Sequence, residues 1–270
     1  MRFEKKYPLP LNELLLAPVV FRASLPALAE CPLASAAGMR DLAEFGGYSS
    51  GAIRTAMSRL RASGMMTTED DAGGVTRYQL AGIARSISHA VIARPSRPDG
   101  FLLAVFSFAS DDVRERQVVR EALKLHGFQK LAQNVYINGQ METAELEAVF
   151  EREGLTEHVY FFRCQEGDEP ALRKKLTTLF DLPRRMQTLL QFQRDLSAFL
   201  EEPRLDGPTF ARRYLYSGPV HYRITFTEEP PLPARALPAG YPIDSLETLM
   251  SGLANSHAGV LARYFRAVHK

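Results

Sequence analysis

At 270 residues, with 46% hydrophobic and 24% charged side chains, the chain has the composition of an ordinary globular protein built from two or three compact units. The net charge of +2 decides little alone, but residues 1–98 carry 12 Lys/Arg against 8 Asp/Glu, so the basic excess sits in the N-terminal third. The apolar patch in MRFEKKYPLPLNELLLAPVVF is interrupted by Glu13 and Pro18. It is too short to span a bilayer and lacks a signal-peptide layout, so a cytoplasmic protein without a membrane segment is expected. Cys31 and Cys164 fit no metal-ligand spacing and read as reduced thiols.

In chain order, SLPALAECPLA and GMRDLAEFGG place apolar residues at helical spacing, and Gly46-Gly47 closes the second. Ser49 and Ser50 are N-cap candidates for a third helix reaching about Ser63, with Gly64 as its stop. MMTTEDDAGGVTRYQL then predicts two strands about a Gly73-Gly74 turn. Helix, helix-turn-helix and hairpin is the winged-helix order. IARPSRPDG, Ile92–Gly100, reads as a linker.

Beyond it, FLLAVFSFA is an apolar run of strand length. Asp112 is placed to cap a helix through Leu125, with Glu115 as capping-box partner and Gly127 as the stop. FQKLAQNVYING predicts one bent or two short strands, TAELEAVFEREG a helix and HVYFFRCQ a strand. This alternation suggests a ferredoxin-like α+β unit. PRRMQTLLQFQRDLSAFLEE is a long helical pattern. Two more helical stretches, Thr209–Thr227 and Ile243–Val268, flank the Pro-rich EEPPLPARALPAGYP. The fold class expected is therefore α+β, as a winged helix-turn-helix over residues 1–92, a ferredoxin-like domain over 100–182 and a helical C-terminal domain over 183–270 for effector binding or dimerisation.

The third helix carries the functional signal. Ile53, Ala56, Met57 and Leu60 fall on one apolar arc, leaving a face of Arg54, Thr55, Ser58, Arg59 and Arg61. From Ser49 to Gly64 there are three Arg and no Asp or Glu, whereas an ordinary solvated helix mixes signs. Arg suits phosphate clamping and bidentate contact with guanine, and Ser and Thr suit hydrogen bonds to phosphates or base edges. A surface helix with chance Arg enrichment is the alternative. Arg77 on the second hairpin strand is a further candidate phosphate contact, although the hairpin tip bears Glu69, Asp70 and Asp71, which phosphates repel.

The stretch AIRTAMSRLRASGM followed by GGVTRYQLAG resembles the winged helix of the phenylacetic-acid-degradation repressor (PaaX-like) family. FLLAVFSF and VRERQVVREALKLHGFQKLAQNVYI are similar to that family's middle domain, and EEPPLPARALPAGYP to its Pro-rich C-terminal signature. Tyr136 and Tyr241 stand where the family commonly has Trp. The resemblance implies a homodimeric transcriptional repressor that binds double-stranded operator DNA and releases it on meeting an acyl-CoA-type effector. It assigns DNA reading to Arg54, Thr55, Ser58, Arg59 and Arg61, to which the cap residues Ser49 and Ser50 and the strand residue Arg77 are added. It names no effector residues.

Catalysis is not expected, and neither a metal nor a cofactor. In a ferredoxin-like nuclease an Asp in the first strand holds a metal, but here the polar residue in that strand is Ser107, and Asp111 and Asp112 fall at the next helix start. A protein-interaction scaffold that has abandoned DNA is a third class of reading, favoured by the acidic hairpin tip. The six histidines, His89, His126, His158, His221, His257 and His269, show no paired metal spacing and read as surface or packing residues. The runs Arg173-Lys174-Lys175, Arg184-Arg185 and Arg212-Arg213 read as solvated faces, with contact to effector or DNA phosphates as the functional alternative.

Overall fold

A computed structural model describes residues 3–81, 97–109, 112–139, 142–165, 170–202 and 205–270. Most of the expected linker and Asp111 lie outside the described residues. In chain order the elements are α1 (Phe3–Lys6), α2 (Leu11–Ser24), β1 (Ala34–Ser35), α3 (Ala36–Phe45), α4 (Ser50–Ala62), β2 (Met66–Asp70), β3 (Thr76–Leu80), β4 (Gly100–Phe106), α5 (Val113–Leu125), β5 (Gln129–Ala132), β6 (Val135–Asn138), α6 (Ala144–Arg152), β7 (Val159–Gln165), α7 (Pro170–Leu179), α8 (Leu182–Leu200), α9 (Gly207–Tyr222), α10 (Ile243–Ser256) and α11 (Ala258–Val268). The fold is α+β, with two small antiparallel sheets. No described helix is long and apolar enough to cross a membrane.

Two compact units form, and neither is continuous in sequence. The first takes Met1–Pro95, Leu189–Thr225 and Pro242–Lys270; the second takes Ser96–Thr188 and Phe226–Tyr241. These units cut across the expected boundaries, because the last ninety residues are shared between both.

In the first unit the N-terminal apolar patch is itself a helix, α2, whose Leu14 and Leu15 are fully buried. The helix expected over SLPALAECPLA is instead a single 3-10 turn, Pro26–Leu28, followed by the short strand β1. Pro26 and Pro32 explain the difference, since neither can donate a helical hydrogen bond. Ser35 caps α3 and Gly47, at φ 89°, ends it in the left-handed region. The sheet order is β1-β3-β2, with Ala34 opposite Tyr78 and Met66 opposite Leu80. Leu15, Val19, Met39, Ile53, Met57, Leu60 and Tyr78 close one core beneath α4. Each large side chain buried there contributes roughly 1.5–3 kcal/mol relative to exposure.

The second unit runs β-α-β-β-α-β, with strand order β5-β6-β4-β7 and every pair antiparallel. Leu102, Ala104 and Phe106 of β4 alternate onto one face and pack with Val119 and Leu123 of α5 and Leu146 and Phe150 of α6. The two short strands of FQKLAQNVYING meet at Asn134, whose φ of 56° is the left-handed conformation Asn tolerates. Asp112 does not form the expected capping box; its carboxylate accepts the Ala109 N–H at 3.1 Å. The Pro-rich segment packs into this unit: Leu232, Ala236 and Tyr241 are buried, and a side chain at Gly139 would overlap the Pro231 carbonyl. The Tyr241 hydroxyl donates to Glu229 at 2.6 Å, and Tyr136 lies in the core.

His269, just beyond α11, is a packing residue with a specific partner. Its Nδ1 accepts the Ser35 N–H at 2.8 Å, and its ring occupies the space a side chain at Gly38 would need. Burial, helped by the positive charge of Arg77 and opposed by Asp41, pushes its pKa down from 6.5 to about 4. The unfolded chain therefore takes up a proton near pH 6.5 that the folded chain refuses until about pH 4, so stability falls as pH drops through that window. Urea unfolding between pH 7.5 and 5 is expected to lose up to about 1.4 kcal/mol per pH unit. His269→Gln should flatten that slope; an unchanged slope in the variant refutes the assignment.

Candidate nucleic-acid interface

Helix α4 is built as its spacing requires. Ser49 is the N-cap, its hydroxyl accepting the Ala52 N–H at 3.3 Å. Gly64, at φ 69°, ends the last turn in the left-handed region. Ile53, Ala56, Met57 and Leu60 are buried, and Arg54, Thr55, Ser58, Arg59 and Arg61 are all exposed. The Thr55 hydroxyl donates back to the Gly51 carbonyl at 3.1 Å. Ser50 donates to Glu44 at 2.8 Å, which brings one carboxylate to the helix start. Among the described residues, none of Arg54, Arg59 and Arg61 has a hydrogen-bond or ion-pair partner. Arg54 and Arg61 lie seven residues apart on one flank, about 10 Å along the axis.

The structure brings seven of the eight expected contact residues onto one exposed surface, the N-cap and outer face of α4. Arg77 departs from the expectation. It is 8% exposed and its guanidinium is turned inward, donating to both the Asp71 carboxylate and the His269 carbonyl, with a third bond to the Leu33 carbonyl at 3.4 Å. A cation so enclosed holds the hairpin rather than presenting charge.

The acidic tip is also partly accounted for. Asp71 accepts the N–H groups of Gly73 and Val75, both at 2.9 Å, as the turn's internal cap. The Val75 bond and then Arg77 hold its carboxyl below the usual range. Asp70 accepts the Thr76 hydroxyl across the hairpin at 2.8 Å, while Glu69 stands exposed.

A second cluster in this unit escaped the sequence reading. Asp41 of α3 receives a two-pronged bond from Arg212 of α9, at 2.8 and 2.9 Å, and a bond from the Tyr264 hydroxyl of α11. Burial works to raise the Asp41 pKa, but the Arg212 and Tyr264 bonds outweigh it and hold the carboxyl below its ordinary value. The signal available in sequence was the Arg212-Arg213 pair, but nothing there marks Asp41, 171 residues away, as its partner. Arg213 pairs with Glu202 at 2.6 Å and lies over the Phe199 ring. In the second unit, Ser107 is exposed just beyond β4.

With this geometry in hand, the chain can be set beside known proteins. The second unit is built around a small βαββαβ arrangement. Residues 98–176 match the family model described as the PaaX protein central Cas2-like domain, so that stretch of the chain is similar to that domain. No curated protein matches the chain. Among solved structures, it is similar to the uncharacterized protein Rv0674 from Mycobacterium tuberculosis, at 18% identity and a TM-score of 0.53, over 96% of this chain and 99% of that one. That likeness is one of fold.

The Arg77 geometry makes a prediction. Arg77→Gln strands the His269 and Leu33 carbonyls and leaves Asp71 without its cation, and is expected to cost about 1–3 kcal/mol in urea unfolding. A variant as stable as the parent would mean that the hairpin is held by its ladder alone.

Proposed function

We propose that this protein is a sequence-specific DNA-binding transcriptional regulator, acting by binding rather than catalysis, as a homodimeric repressor of a catabolic operon. The order α2-β1-α3-α4-β2-β3, with β1 joining the hairpin, supports reading residues 3–80 as a winged helix-turn-helix. The observation that carries the proposal is the outer face of α4: three exposed arginines without partners among the described residues, on a helix with no acidic side chain. In this reading α4 enters the major groove, with Arg54 and Arg61 on phosphates or guanine edges and Ser58 and Thr55 beside them. Ser49, Ser50 and Arg59 flank the groove. Arg77 acts from behind, fixing the hairpin.

The PaaX-type central domain supports placement among transcriptional regulators. From the same resemblance come the acyl-CoA-type effector and the dimer, in which two recognition helices meet successive major grooves about one helical turn apart. Effector binding would favour a dimer geometry whose spacing no longer fits the operator.

Fluorescence anisotropy on duplex DNA from upstream of the gene tests the reading. Arg54→Ala combined with Arg61→Ala should weaken binding at least about tenfold and reduce the salt-dependence slope by up to about two, one for each phosphate contact removed. Unchanged affinity and slope would sink the recognition-helix assignment. Absence of any bound fraction at low salt would favour a scaffold instead.

A further inference from the structure

In the first unit, a cleft of about 390 Å³ opens between the start of α9 and the outer side of α11. That volume is at the small end of the range for organic-ligand sites. Its walls are apolar, formed by Pro208, Val260, Ala267 and Val268 with the body of Tyr264. Among the described residues, the charged ones lining it are both cations, Arg212 and Arg263, and no carboxylate lines it. Arg263 is exposed and has no ion-pair partner among the described residues. Arg212 is held by Asp41 from the α3 side. Of the charged residues near Arg212 in sequence, Asp206 caps α9 by accepting the Thr209 N–H at 2.7 Å, and Arg213 is paired with Glu202. A greasy slot whose charges, among the described residues, are two guanidinium groups matches a molecule with a hydrocarbon body and a single anionic head.

We propose that this cleft binds an amphipathic monocarboxylate, its hydrocarbon chain against Val260, Ala267 and Tyr264 and its carboxylate on Arg263 and Arg212, where it competes with Asp41 for the Arg212 guanidinium. The carboxylate of the ligand and that of Asp41 are chemically alike, so either satisfies the same two-pronged donor. Occupancy therefore loosens the tie between α3 and α9, and α3 leads directly into α4. That last step rests on the reading of α4 as the DNA-contacting helix; ligand binding does not.

The experiment is calorimetric titration of the full, DNA-free protein with octanoate, octanol and octylamine. Octanoate should bind at least about tenfold more tightly than either of the others, since only it supplies the charge-assisted bonds. Arg263→Glu, at an exposed position that leaves the core untouched, should weaken octanoate at least about tenfold while leaving octanol unaffected. Asp41→Asn, which removes the competitor, should tighten octanoate severalfold, an effect with the opposite sign to simple loss of structure. Equal binding of the three probes, or an Arg263→Glu variant that binds octanoate as the parent does, overturns the proposal. So does a cleft that binds no octanoate while Arg263→Glu breaks a dimer in sedimentation, for then its occupant is a second copy of the chain. If octanoate binds as expected but no DNA is bound, the cleft stands and the DNA-binding reading fails.

Discussion

The first unit depends on how Asp41 is satisfied. A carboxylate on a half-buried helix face loses water and recovers that cost only by accepting strong hydrogen bonds. Here the donors are the Arg212 guanidinium and the Tyr264 hydroxyl, from segments 171 and 223 residues downstream. The ion pair is partly open to solvent, so its net contribution to stability is modest. Its geometry matters more than its energy. A two-pronged bond fixes both the distance and the orientation of α3 against α9, and His269 adds a second fixed point through the Ser35 amide at the start of α3. The helix that leads into α4 is thus held at both its cap and its middle by residues from the C-terminal segments.

This arrangement explains what could be read in the sequence and what could not. The α4 face was legible because it is a local property: a period of 3.6, a Ser cap and a Gly stop suffice to predict which residues turn outward. The hairpin was legible for the same reason, through the Gly73-Gly74 turn between two strand-like pieces. The strand alternation of the second unit was visible too, although FQKLAQNVYING left open whether one strand or two would form until Asn134 showed the turn. The helix α2 was hidden because its apolar residues run on too many sides to give a clear period, and Pro18 looked like a breaker. Units assembled from distant segments have no linear signature, and neither does the pairing of Asp41 with Arg212. Arg77 was misplaced for an instructive reason. Strand alternation gives the face on which a side chain lies, but not whether that face is covered by something contributed from elsewhere in the chain.

Arg77 also changes the electrostatic reading of the hairpin. Counting charges along EDDAGG gives three negatives at a tip that would lie near phosphates. In the folded chain Asp71 is spent on the turn's own amides and on Arg77, and Asp70 is engaged by Thr76. The Asp71–Arg77 pair is close to neutral at a distance, so the field of the tip is weaker than its composition implies. Glu69 and Asp70 both remain exposed, and they are the acids a nearby phosphate would meet.

The face of α4 presents the converse case. Arg59 and Arg61 stand two residues apart, and Arg54 lies on the same flank as Arg61, with no acid on the helix to offset them. Arg54, Arg59 and Arg61 avoid the three- and four-residue spacings at which side chains on a helix meet, so their mutual repulsion is small, and the dipole favours only Arg59 and Arg61 in the last turn. Arg54, in the second turn, lies beyond the dipole's reach at either end and gains nothing from it. The apolar arc of Ile53, Met57 and Leu60 holds the helix in place without help from its outer face. A helix anchored on one side and free of acidic residues on the other carries the charge that the proposed contact with a phosphate backbone requires.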